Sequence, residues 1–146
     1  MATTLRQAVK AELEGDATLL ATLTGGVYDR RGINRTSTPD AYNDRGELEP
    51  CAVVVVEAAT PIGPHPDYRI ERVFFAVYLY EEEGNAYAGI DVAKQRIKAL
   101  LHQQRVTTTP DTVWEIRHAD SLGDSYDEVL KAEMSFERFF AWKKRG

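Results

Sequence analysis

The residue types best suited to chemistry in this chain are three histidines, one cysteine and a run of carboxylates. Their spacing does not assemble a reaction centre. His65, His102 and His118 fall in a loop, at a helix end and in a strand, without the short intervals to Cys, Asp or Glu by which metal ligands are gathered. His118, Asp120 and Ser121 carry the letters of a nucleophilic relay. Residues so close along an extended segment cannot wrap around one reacting atom, and no G-x-S-x-G turn is present to project a serine. Gly25-Gly26 follows a helix rather than a strand and no G-K-[S/T] occurs, so no phosphate-cradling loop is encoded. Glu81, Glu82 and Glu83 read as the charged end of a strand, and Cys51 opens an apolar strand as a small hydrophobe. No catalytic, cofactor-binding or metal site is read from these residues, which argues against an enzyme.

The elements that would have to position such groups point elsewhere. The chain has 146 residues, 43% of them hydrophobic and 28% charged, the composition of one soluble globular domain spanning 1–146. No apolar run approaches the ~20 residues of a membrane helix. The start, MATTLRQAVKAE, lacks the apolar middle of a signal peptide, so a cytoplasmic chain is expected. The lone cysteine fits a reducing compartment. A net charge of −5 argues against a general DNA-binding surface.

The central stretch is Tyr68–Tyr80, YRIERVFFAVYLY. At the two-residue period of a strand, Val73, Phe75, Val77 and Leu79 point one way, and Ile70, Phe74, Ala76, Tyr78 and Tyr80 the other. Both faces are apolar, so this strand is expected to lie centrally and to be covered on both sides. Ahead of it, Thr3 or Thr4 caps a helix with the stripe Leu5, Ala8, Val9 and Leu13, and Asp16 caps a second with Leu19, Leu20 and Leu23. Cys51–Ala59, CAVVVVEAA, reads as an interior strand. A helix over about Ala86–Gln104 places Ile90, Ala93, Ile97, Leu100 and Leu101 on the Val73/Phe75/Val77/Leu79 face. Thr112–Ala119 and Val129–Trp142 are two further strands. The last alternates Leu130, Ala132, Met134, Phe136, Phe140 and Trp142 against Lys131, Glu133, Ser135, Glu137 and Lys143. The predicted class is α+β: a two-layer sandwich of a mainly antiparallel or mixed sheet of four to five strands, with helices on one face.

Two features exceed what such a domain needs. Asp29–Pro50 is a loop of about 22 residues with almost no apolar periodicity and four arginines, Arg30, Arg31, Arg35 and Arg45. It is either a solvated surface loop or a contact arm that orders against a partner, and it is expected to be mobile. Tyr78, Tyr80, Phe74, Phe139, Phe140 and Trp142 supply more apolar surface than one helix layer can bury. Either the two N-terminal helices cover the second face, or a partner does. For the second case the contact candidates are Arg30, Arg31, Arg35, Arg45, Tyr78, Tyr80 and Phe139, since arginines beside aromatics are enriched in protein interfaces.

In layout the chain resembles the tail terminator, or tail completion, proteins of long-tailed bacteriophages. The resemblance runs through the helix pair closing on LTGGVYD (Leu23–Asp29) and the loop ending in Pro50 before CAVVVVEAA. It continues through RIERVFFAVYLYEE (Arg69–Glu82), NAYAGIDVAKQRIKALLH (Asn85–His102) and AEMSFERFFAW (Ala132–Trp142). The Arg-rich loop is longer here than that pattern has. The resemblance implies a structural virion protein of the tail and neck, assembled in the host cytoplasm without cofactor or membrane. It implies a ring, usually of six copies, on the last layer of the tail tube. Such a ring stops tube polymerisation, presents a surface to the head connector and lets genomic DNA pass without sequence-specific binding. The rivals are another neck component, such as a head-closure protein, and a small cytoplasmic binding domain or enzyme.

Overall fold

The computed structural model describes residues 4–29, 33–61, 70–109 and 112–144. Helix α1 (Leu5–Glu14) starts at a capping box: Thr4 Oγ1 accepts from the Gln7 N–H and Gln7 Oε1 accepts from the Thr4 N–H, which satisfies two otherwise orphaned donors. Its stripe Leu5, Ala8, Val9 and Leu13 is buried. Helix α2 (Ala17–Thr22) is capped by Asp16, whose Oδ2 accepts from the Leu19 N–H at 2.9 Å. The same carboxylate takes a two-pronged ion pair from Arg96 of α3 (Ala88–Leu101), at 2.8 and 2.7 Å, tying the two helices together. That pairing holds the Asp16 carboxyl down at about 2, below its ordinary 3.8.

The strands are β1 (Val27–Tyr28), β2 (Cys51–Pro61), β3 (Ile70–Glu82), β4 (Arg105–Thr108), β5 (Thr112–Ser121), β6 (Ser125–Asp127) and β7 (Ala132–Lys144). They form one mixed sheet in the order β1-β2-β3-β7-β5-β4, with β6 also paired to β7. Only β1–β2 is parallel among the described pairings. The class is α+β as expected, but the sheet has seven strands rather than four to five. The additional ones, β1, β4 and β6, have two to four residues each, too short to show a period. The central position of β3, between β2 and β7, matches its two apolar faces; Tyr68 and Arg69 of the predicted strand lie outside the described residues.

All three helices cover one face. Val73, Phe75, Val77 and Leu79 of β3 pack with α1, α2, α3 and with Ile116, Phe139 and Ala141 in one core. The N-terminal helices therefore do not cover the second face. Helix α3 begins two residues later than expected because Ala86 and Tyr87 adopt left-handed backbone, φ 54° and 61°. Two contacts hold this costly conformation: the Tyr87 N–H donates to Glu133 Oε1 (3.0 Å) and its hydroxyl to the Ser125 carbonyl (2.5 Å).

The last strand overturns a simple reading of polarity. Its polar row, Glu133, Ser135 and Glu137, is the row that faces the helices and is buried. Narrow α3 leaves polar side chains beside its apolar stripe, and these supply partners. Lys94 Nζ donates to Ser135 Oγ and to the Leu122 carbonyl, at 2.9 and 2.8 Å. Phe139 shares that inner parity and is 0% exposed, stacked on Phe75 with ring centroids 5.5 Å apart.

The loop also departs from expectation. Ile33, Ala41 and Leu48 are buried with Cys51, Val53 and Ala132 in a second, smaller core on the other face of the sheet. A 3-10 turn at Pro39–Ala41 and a bridge between Tyr42 and Leu48 hold this segment in place. Three apolar residues spaced irregularly carry no period, which is why the sequence hides their packing role.

Candidate interaction surface

Among the described residues, the second face of the sheet is covered by the loop at one end. There, Tyr80 packs with the small core beside Cys51 and Leu130; burial, aided by nearby Asp127, pushes its hydroxyl up to about 12. Further along, the register builds cross-strand rows from β3 and β7: Tyr78 opposite Phe136, Ala76 opposite Arg138, Phe74 opposite Phe140 and Arg72 opposite Trp142. The rings touch: Tyr78–Phe136 at 5.1 Å, Phe74–Phe140 at 6.0 Å and Phe140–Trp142 at 5.6 Å between centroids. All are half-buried, and none is covered by a helix.

Arginines lie across these rings. Arg72 sits over Phe74 (4.9 Å) and Phe140 (5.9 Å), Arg138 over Phe136 (4.9 Å) and Arg117 over Trp142 (6.0 Å). Each such contact contributes about 0.5–1 kcal/mol where solvent reaches it. Arg138 spans β3 above small Ala76, pairing with Glu57 at 2.9 Å on one side and Asp120 at 3.1 Å on the other. Both carboxylates stand at irregularities of the ladders, between Val56 and Ala58 and between His118 and Asp120, where bulges re-aim side chains. Arg117 pairs with Glu115 at 2.6 Å. Arg72 differs in having no carboxylate partner among the described residues; its Nε, like that of Arg117, is buried without a hydrogen bond.

The expected contact residues divide. Tyr78 belongs to the aromatic rows, and Tyr80 to the part the loop covers. Phe139 is a correction: a fully buried side chain has no surface to offer, and its neighbours Phe136 and Phe140 occupy the outer face instead. Arg35 stacks on Tyr42 at 4.5 Å, while Arg45 is 86% exposed beside Glu47. Neither joins the aromatic rows; Arg30 and Arg31 lie outside the described residues. Arg72, Arg117 and Arg138 were missed, although each sits two residues from an aromatic of matching parity in its own strand or faces one across the ladder.

The residues with chemical letters are placed structurally. Glu137 Oε2 contacts both Ser121 Oγ and His118 Nε2 at 2.5 Å. A relay needs serine and carboxylate on opposite ring nitrogens; here both stand at Nε2, and Asp120 is engaged by Arg138. His102 Nδ1 accepts from the His118 backbone N–H at 3.0 Å, close to where β4 pairing ends. Among the described residues, no three His, Cys, Asp or Glu side chains are grouped to hold a metal ion, and no helix is long and apolar enough to cross a membrane.

No protein-family model matches the chain, and no curated protein matches it. Its fold is similar to that of a chain in the virion of a native gene transfer agent particle. The TM-score is 0.66 at 14% identity, covering 96% of this chain and 94% of that one. A second solved structure gives a TM-score of 0.58, also at 14% identity, over 97% of this chain and 94% of the other. At this identity the likeness shows a shared fold.

Proposed function

We propose that this chain is a structural protein of a phage-like virion and, more finely, a terminator. On this reading, copies close a ring on the end of the tail tube, stop its growth and present the surface that joins the head connector. The observation that carries it is the half-covered sheet face, where four rows of aromatics and arginines stand without a helix over them among the described residues. A monomer gains little from such a face, whereas aromatic and arginine anchors are what stable interfaces bury. The fold's likeness to a chain of a gene transfer agent virion supports the same setting. The acidic balance, −5, suits a bore that passes DNA without holding its phosphates. A closed ring requires a heterologous contact, one patch of a subunit against a different patch of the next, on the scale of ~1,600 Å².

The reading is tested by electron microscopy of cognate tail tubes incubated with gold-labelled protein. Label at tube ends and not along the sides is expected; label that is absent, or spread evenly along the tube, overturns it.

A further inference from the structure

We infer that the ring-closing contact joins the Arg72 end of the outer sheet face of one copy to the β6–β7 turn of the next. This inference rests on the ring-forming reading above and names its two surfaces. The receiving patch is Arg72 over the rings of Phe74 and Phe140, with Trp142 alongside. A guanidinium lying over two rings, with no carboxylate partner among the described residues, is set up to receive an acid presented with an apolar group.

The same chain carries that combination at the other end of the β3–β7 pair. In the turn between β6 and β7, Val129 is 93% exposed, the most exposed large hydrophobic side chain among the described residues. Its position is fixed, because Asp127 Oδ1 accepts from the N–H groups of both Val129 and Leu130, at 2.9 and 2.8 Å. Glu128 beside it is exposed and makes no ion pair among the described residues. The tip is acidic overall, with Asp124, Asp127 and Glu128 against Lys131.

The two patches cannot meet within one subunit. Arg72 opposes Trp142 near one end of the strand pair, while Glu82 opposes Ala132 at the other. Ten residues of strand separate them, about 33 Å at ~3.3 Å per residue. They are complementary in charge and in apolar character, Glu128 to Arg72 and Val129 to the rings, and they differ from one another. A pairing between them is therefore head-to-tail, the type that propagates to a ring. The occupant of the Arg72 patch is a second copy of this chain.

The test is a charge swap, read as association between copies by sedimentation velocity and by caps on tube ends. Glu128→Lys and Arg72→Glu should each weaken association by about tenfold or more, and the variant carrying both should recover it. Glu128 is solvent-exposed, so its substitution leaves the fold intact, as circular dichroism checks, even if Arg72→Glu disturbs the sheet. If Glu128→Lys associates as well as the wild type, or if the double variant is no better than the singles, the pairing is wrong. Variants that still cap tubes would then leave the terminator reading standing. Wild-type protein that associates with itself neither in solution nor on tube ends overturns both.

Discussion

Phe139 and Phe140 are adjacent in sequence and face opposite ways, which makes them a direct probe of the outer surface. Phe139 is 0% exposed, stacked on Phe75 at 5.5 Å with an interplanar angle of 20° and edged by His118 at 5.3 Å. Truncation to alanine removes a ring that the surrounding core cannot refill, so Phe139→Ala should cost about 3–5 kcal/mol. Phe140 is half-buried among Phe74, Trp142 and Arg72. Losing half of a buried side chain's transfer energy, Phe140→Ala should cost about 0.8–1.5 kcal/mol in the free subunit. The assay is urea unfolding followed by circular dichroism, with the slopes compared to confirm that the same surface is exposed. In heating scans the Phe139 variant should lose roughly 6–20 °C, at 2–4 °C per kcal/mol for a domain of this size. Phe75→Ala should match it, and the Phe75/Phe139 pair should show a coupling of about 0.5–1.5 kcal/mol in a double-mutant cycle. If Phe139→Ala costs under ~1 kcal/mol while Phe140→Ala costs several, the faces of β7 are reversed and the aromatic surface does not exist.

Three further outcomes follow from titratable groups. The Asp16 carboxyl sits at about 2 through its bonds to Arg96, so the stability it adds is present above its ordinary 3.8 and is lost as pH falls toward 2; Asp16→Asn should remove that acid-side loss in melting scans. Glu81 is 1% exposed, directly across the ladder from Glu133, with one carboxylate oxygen unpaired; burial, with Glu133 adding to it, raises its pKa above 4.5. The folded state thus favours the proton, stability declines as pH rises through that raised value, and Glu81→Gln should melt higher than wild type at neutral pH without the decline. Burial pushes the Cys51 thiol up to about 12, so a thiol reagent at pH 8 should leave the folded protein unmodified and label it fully in urea; rapid labelling without denaturant would show that the loop does not cover the strand.

Much of the fold was legible because its strongest signals are local. The caps at Thr4 and Asp16, the stripe of α1 and the two apolar faces of β3 follow from side-chain chemistry within a few residues. The rest depended on tertiary context. Glu133, Ser135 and Glu137 read as a wet face and are buried, because Lys94, Tyr87, His118 and Ser121 satisfy them from other elements. Phe139 followed the parity of that polar row into the core. The packing of Ile33, Ala41 and Leu48 has no period to detect. On the candidate surface, the aromatic excess was visible, but which rings stand outside depended on the β3–β7 register. The arginines over them are brought there by that same register, which no spacing within one strand reveals.

Tube length measures the terminator role most directly. Cognate tail-tube protein is polymerised alone and with increasing amounts of this protein, and lengths are counted by electron microscopy. A terminator shortens the tubes as its ratio to tube protein rises and leaves each capped end closed to further growth. Tubes of the same length distribution at every ratio, with bare ends, would contradict it.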